Sequence, residues 1–198
     1  EHILLLRKAS AAIGITLKTP PYRFWPYERE IRLREIGGPC PGDVRKKEES
    51  NITVDATPTD LLRYRKLVFT HQLQYSDGHS EPTWQSIIEN GMAANPAARK
   101  DPKYVTHGLH PYKGKFYPQL AKGLINLVRP KEGAVVLDPF CGSGTTLLEC
   151  YLNGLKPYGC DMNPLAALIA RAKTKILDIK PNDVTEVVSS VLEALSEK

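Results

Sequence analysis

The apolar residues of this chain follow a different rhythm in each half. Near the N-terminus Ile13, Ile15 and Leu17 alternate with smaller or polar neighbours, the period of a strand with one buried face. The run Ile3–Leu6 before them could open a helix. Pro20, Pro21 and Pro26 then punctuate the chain, and Glu28–Ile36 reads as a charged helical segment stopped by Gly37–Gly38–Pro39. Residues 39–60 hold few large apolar side chains and include KKEES, the composition of a loop or linker. Leu61–Leu73 mixes apolar and basic residues without a clear period, 76–83 reads as a loop, and Trp84–Met92 has Trp84, Ile87, Ile88 and Gly91 at helical spacing. Asn95–Pro102 is a polar break containing proline.

The pattern sharpens from Pro118. Leu120, Leu124, Leu127 and Val128 fall at i, i+4, i+7 and i+8, an amphipathic helix closed by Pro130. Ala134–Leu137 reads as a buried strand, Thr145–Leu152 as a helix stopped at Asn153–Gly154, and Tyr158–Cys160 as a second strand. Asn163–Pro164 has the order of a cap and a first-turn proline ahead of a helix over Leu165–Lys173. A last amphipathic helix spans Asp183–Leu195, with Val184, Val187, Val188, Val191, Leu192 and Leu195 on one face. This order predicts an α/β fold with a β-α-β unit in the C-terminal half. It divides the chain into an accessory region of mixed structure, 1–100, and a ligand-binding part, 101–198.

Composition narrows this only modestly. The 198 residues suffice for one or two small domains, and a formal net charge of +5 permits a polyanionic partner without requiring one. Arg63, Arg65 and Lys66 form a basic cluster that reads as a solvated face rather than a phosphate contact. The four cysteines make no CxxC pair, so a zinc site is not expected, and free thiols suit a reducing cytoplasm. No run of about 18 apolar residues is present, and no signal peptide is visible. The chain begins with Glu1 rather than methionine, as a trimmed chain or fragment would.

The chemistry concentrates in VVLDPFCGSGTTLLECYLNGLKPYGCDMNP, residues 135–164: strand, glycine loop, helix, strand, acid. Gly142 and Gly144 let backbone pass beneath a ligand with no side chain in the way. The helix starting near Thr145 offers unpaired N–H groups to an anion. Asp161, 19 residues beyond Gly142, stands where an acid can accept hydrogen bonds from ribose hydroxyls, close to the spacing of about 20 found in nucleotide-binding folds. A phosphate-binding P-loop is excluded because no GK[ST] follows the glycines. A nicotinamide loop fits poorly because Leu147 occupies the third glycine position.

DPFCGSGTT followed by GCDMNPLA resembles the S-adenosylmethionine site of DNA amino-methyltransferases, which methylate the exocyclic amino group of cytosine (N4) or adenine (N6). The resemblance implies a Rossmann-type class I methyltransferase core, represented here by its first β-α-β unit. Under it the loop Asp138, Pro139, Phe140, Gly142, Ser143, Gly144 and Thr145 wraps the methionine part. Asp161 holds the ribose, and Met162 and Asn163 border the adenine. Upstream, HGLHPYKGKFYPQLAKGLINLV (107–128) resembles the lysine–aromatic–proline segment these enzymes place before the glycine loop, which implies Lys115 and Phe116 near the methionine end. An aromatic ring there could shield a sulfonium. The histidines of this segment read as packing residues. The resemblance covers roughly residues 105–178 and implies DNA as substrate, with or without an accompanying restriction nuclease.

The same family presents its target base through a [DNS]PP[YFW] motif, after flipping the base from the stack. The 37 residues beyond Asp161 contain no such motif. Thr19–Pro20–Pro21–Tyr22 comes nearest, and some family members are permuted so that the catalytic motif precedes the glycine loop. Lys18, however, stands where a buried strand should end, and the stretch reads better as a proline turn leading into an exposed helix. The catalytic residues are therefore expected on a complementary methyltransferase segment or subunit, and the open edges of an isolated β-α-β unit favour such pairing. Two rivals stand beside this reading. One is an RNA methyltransferase acting on tRNA guanine, a class with similar glycine loops. The other is a non-catalytic module that binds the cofactor or scaffolds a partner.

Overall fold

The computed structural model describes residues 12–37, 51–89 and 101–196. Ile3–Leu6, the stop at Gly38–Pro39 and the Asn95–Lys100 break lie outside them, as do Asn90–Met92 and Cys40; the helix expected over Trp84–Met92 ends at Ile88 with Glu89 as its C-cap. The described residues divide into two compact units. One comprises those up to Gly108 together with Tyr117–Lys131; the other comprises Leu109–Phe116 and the chain from Glu132.

The first unit is built on an antiparallel sheet in the order β2-β1-β3-β4, with β1 Ile13–Lys18, β2 Asn51–Ala56, β3 Gln72–Tyr75 and β4 Ser80–Pro82. The alternation in β1 works as expected. Ile15 and Leu17 point to one face and are fully buried with Ile52, Ala56 and Leu73. Helix α1 (Pro26–Gly37) contributes Ile36 to this core, and α2 (Pro58–Arg65) contributes Leu61 and Tyr64. Helices α3 (Trp84–Ile88) and α4 (Pro118–Val128) complete the unit. A second cluster of Ile31, Val68 and Phe69 receives Leu120 and Leu127 from α4. Here Gly123 is a contact requirement, since a Cβ on it would meet Ile31 Cγ2 at 2.8 Å.

Three readings of this half need correction. The helix expected to be exposed after the proline turn is not: α1 buries Glu28, Ile31, Arg32, Glu35 and Ile36. Residues 39–60 are not all linker, because Asn51–Ala56 forms β2 and Pro58 opens α2. Ile52, Val54 and Ala56 do alternate, but polar residues between them mask the signal. Thr57 caps α2 in a reciprocal capping box with Asp60, and Pro58 occupies the first turn. Residues 76–83 likewise include β4, joined to β3 by a turn in which Gly78 takes φ +88°.

The second unit is a β-α-β unit followed by two helices. Strand β5 (Val135–Asp138) runs parallel to β6 (Lys156–Gly159), in register from Val135↔Lys156 to Asp138↔Gly159, with α5 (Thr145–Leu152) between them in sequence. Helix α6 (Pro164–Lys175), a 3-10 turn (Ile176–Asp178) and α7 (Pro181–Ser196) follow. Asn163 caps α6 through its side chain, which accepts from Leu165 N–H at 3.0 Å, and Pro164 opens the helix as its spacing predicts. Strand β5 is not buried as its run of apolar residues suggested. Val135 and Leu137 share one face of the strand and are each 66% exposed, so that face is left uncovered by the described residues of this unit. The apolar face of α7 is exposed as well.

Candidate cofactor site

The parallel pairing extends past the strands into the loop. Cys160 N–H donates to Asp138 O at 3.1 Å, and Cys141 N–H donates to Cys160 O at 3.0 Å. The glycine loop therefore leaves the sheet with its first residues tied to the end of β6. Asp138 caps its own turn, accepting the Phe140 N–H at 3.1 Å. Gly142 and Gly144 both take positive φ, +50° and +78°, and Gly144 is the N-cap of α5. A Cβ on Gly144 would stand 2.7 Å from the Cβ of Ala170 and 2.9 Å from its Cα. The loop thus passes hard against α6, and the glycine serves both conformation and space.

A cavity of about 340 Å³ opens at this loop, the size of a small-molecule site. One wall is the arm Gly114, Lys115 and Phe116; the other is Asp138, Phe140 and Cys141 through Ser143, with Thr145 and Thr146 at the start of α5. Of the residues the sequence picked out, Lys115, Phe116, Asp138, Phe140, Gly142, Ser143 and Thr145 meet around this one space. Pro139, Gly144, Asp161, Met162 and Asn163 do not line it. Met162 is almost wholly exposed, and Asn163 is occupied in capping α6. Asp161 touches the loop directly. Its Oδ2 accepts the Gly142 N–H at 2.8 Å, and its Oδ1 accepts the Asn163 N–H at 2.8 Å.

Two features make the cavity receptive to a polar ligand. Thr145 and Thr146, in the first turn of α5 where backbone N–H groups have no intrahelical acceptor, line it. The Thr145 hydroxyl is buried there, and its Oγ1 has no hydrogen-bond partner among the described residues. An orphaned oxygen at that place is costly unless a ligand completes it. Burial, with Asp138 and Asp161 adding to it, pushes the Cys141 thiol up, away from a reactive thiolate.

Gly114, Cys141 and Thr146 were not singled out from the sequence, and neither was Lys173. That lysine is fully buried on α6, with Nζ 3.2 Å from Ser143 Oγ. Its signal was present: Ala166, Ile169, Ala170 and Lys173 share one helical face, and the first three are buried apolar residues. The Thr19–Tyr22 turn belongs to the other unit. It follows β1, which has antiparallel neighbours on both sides, and Tyr22 is buried with its ring edge-on to Phe24 at 5.0 Å. His107 is buried against Tyr104, while His110 is exposed.

Comparison with known proteins bears on the chain as a whole. The DNA methylase family matches residues 16–171, well upstream of the stretch on which the resemblance rested and including the Thr19–Tyr22 turn. Type II methyltransferase M.MjaII of Methanocaldococcus jannaschii is 34% identical over 140 residues, covering 70% of this chain and 25% of that protein. Type II methyltransferase M.MvaI of Kocuria varians is 37% identical over 97 residues, 48% of this chain and 21% of that one. The tRNA (guanine(10)-N2)-dimethyltransferase of Methanocaldococcus jannaschii is 45% identical over 130 residues, 66% of this chain and 31% of that one. The chain thus spans about a third or less of the length of each of these relatives. With the family match running from β1 through the glycine loop and into α6, this chain belongs to the DNA methylase family of amino-methyltransferases.

Proposed function

We propose that this chain supplies the S-adenosylmethionine-binding part of a DNA methyltransferase that modifies N4 of cytosine or N6 of adenine. The functional division is a cofactor-binding part over 101–198 and an accessory region over 1–100, with the β-α-β unit as the first unit of a Rossmann-type class I core. The observation that carries this reading is the cavity at the N-terminus of α5, lined by Lys115, Phe116 and the glycine loop, with the unpartnered Thr145 hydroxyl in its wall. The bound cofactor supplies an electrophilic methyl group on a sulfonium. The residues present suit such a ligand. The Lys115 ammonium and the α5 N-terminus favour its carboxylate. The Phe116 ring offers a π face to its cation. Gly142 and Gly144 leave the backbone open to close approach, and Asp161 stands at the loop's edge for the ribose, with Met162 and Asn163 on the adenine side.

Two observations support a catalytic motif on another segment or subunit. Tyr22 is buried and cannot stack on a flipped base without leaving its core. Strand β5 pairs only with β6 among the described residues, which leaves its other edge to further strands, and its exposed Val135 and Leu137 face to a covering layer, from a complementary chain segment. Photo-crosslinking of labelled S-adenosylmethionine tests the cofactor assignment. The label is expected in peptides covering 109–116 or 138–146, and a label confined to other peptides contradicts it.

A second reading has its own support. The similarity to a tRNA (guanine(10)-N2)-dimethyltransferase extends over two thirds of this chain, so an RNA substrate is the alternative. Binding measured with cofactor present separates the two: duplex DNA preferred over tRNA favours the first, and the reverse order favours the second. Among the described residues no helix is long and apolar enough to cross a membrane.

A further inference from the structure

We infer that Lys173 is a positioning residue that turns the Ser143 hydroxyl into a hydrogen-bond donor aimed at the cavity, where it meets the carboxylate end of the methyl donor. The inference rests on the cofactor reading above and adds a residue that lies outside the glycine loop and the cavity wall. Lys173 is fully buried, Ser143 nearly so, and Nζ and Oγ are 3.2 Å apart. An ammonium has three donors and no lone pair, so the serine oxygen must accept and its own hydrogen must point elsewhere. Ser143 lines the cavity, and the cavity is where that hydrogen can find an acceptor.

A neutral amine would reverse this arrangement. Its lone pair can accept the Ser143 hydrogen and draw the donor away from the ligand. Burial, followed by the charge of Lys115, lowers the Lys173 pKa to about 8, so the exchange falls within an accessible pH range. The elements packed around Lys173 carry other titratable groups. They are Glu149 on α5 and Asp178 on the 3-10 turn, both packed on α6, Asp138 and Cys141 on the glycine loop that holds Ser143, Asp161 at the cap of α6, Arg171 and Lys175 on α6 itself, and Lys115, whose charge reaches Lys173. Comparison with a lysine variant removes their contribution.

The test uses calorimetric titration with two probes that share adenine, ribose and sulfur. S-adenosylhomocysteine keeps the carboxylate, and 5′-methylthioadenosine lacks it. Lys173→Met and Ser143→Ala are each expected to weaken S-adenosylhomocysteine about tenfold, the double variant no more than either alone, and 5′-methylthioadenosine less than about twofold. Wild-type affinity for S-adenosylhomocysteine should fall between pH 7 and 9, with a flat ratio in both variants. Equal losses for the two probes, or additive losses in the double variant, overturn the inference. Should Lys173→Met fail to fold, Ser143→Ala decides by its pH profile and its probe selectivity. A wild type that binds S-adenosylhomocysteine with pH-independent affinity overturns this inference alone. A wild type that binds neither probe overturns the cofactor reading and this inference with it.

Discussion

Asp161 holds Gly142: the carboxylate at the end of β6 accepts the loop's N–H at 2.8 Å while its second oxygen accepts from Asn163 at the same distance. One side chain therefore joins the glycine loop to the cap of α6. The pattern of an acid about 20 residues past the glycines suggests a ribose ligand. The geometry adds a role that needs no ligand, and the carboxylate's remaining lone pairs are still free for hydroxyl donors. Removing this side chain should loosen the loop as well as the ribose contact.

Gly144→Ala should be the most damaging single-methyl change in this unit. The new Cβ would stand 2.7 Å from the Cβ and 2.9 Å from the Cα of Ala170, at a φ of +78° that alanine resists. Strain and overpacking together predict a loss of about 2 kcal/mol or more. Chemical denaturation measures it. Ala170→Gly in the same chain should recover only part, since it relieves the side-chain clash and leaves the backbone strain.

Tyr22→Ala is expected to destabilise the antiparallel unit by about 3 kcal/mol, as loss of a buried aromatic does, while leaving cofactor affinity unchanged. The ring is 8% exposed and packed on Phe24, and burial, with Glu89 and Glu28 adding to it, holds its hydroxyl pKa well above the ordinary value. Thermal melting and a binding titration on the same variant check both halves of the statement. An unchanged melting temperature would show that Tyr22 is not the core residue its packing implies.

How much of this was legible in the sequence follows from where each signal is local. The alternation of Ile15 and Leu17, the Asn163–Pro164 helix start and the glycine loop are encoded within a few residues, and all three appear where their spacing puts them. Strand β2 escaped notice because its three inward residues are diluted by Asn51, Thr53 and Asp55, and its assignment depends on pairing with β1 far away in sequence. The exposure of Val135 and Leu137 was illegible for a related reason. An apolar run reports a strand's tendency to be covered, not whether neighbours are there to cover it. Lys173 was passed over because a lysine near a helix C-terminus usually satisfies the helix dipole, and only its place on the Ala166–Ile169–Ala170 face marked it as buried.

The buried lysine also makes a stability prediction with a definite sign. Its folded pKa of about 8 lies below the ordinary 10.5, so between these values the unfolded chain binds more protons. Stability then rises with pH across that window, and below about pH 8 the contribution is flat because both states hold the proton. Relative to Lys173→Met, wild type should gain on the order of 3 kcal/mol from pH 7 to 10.5. Urea denaturation of both proteins at several pH values measures the difference, and parallel curves would show that Lys173 titrates normally.

The most direct test of the account is a calorimetric titration of the 198-residue chain with S-adenosylmethionine, run beside Asp161→Ala. The account predicts saturable one-site binding by the wild type and an affinity at least tenfold weaker in the variant, since a charge-assisted hydrogen bond to the loop and the ribose contact are lost together. A folded wild-type chain with no measurable binding, or equal affinities in the two proteins, would contradict it.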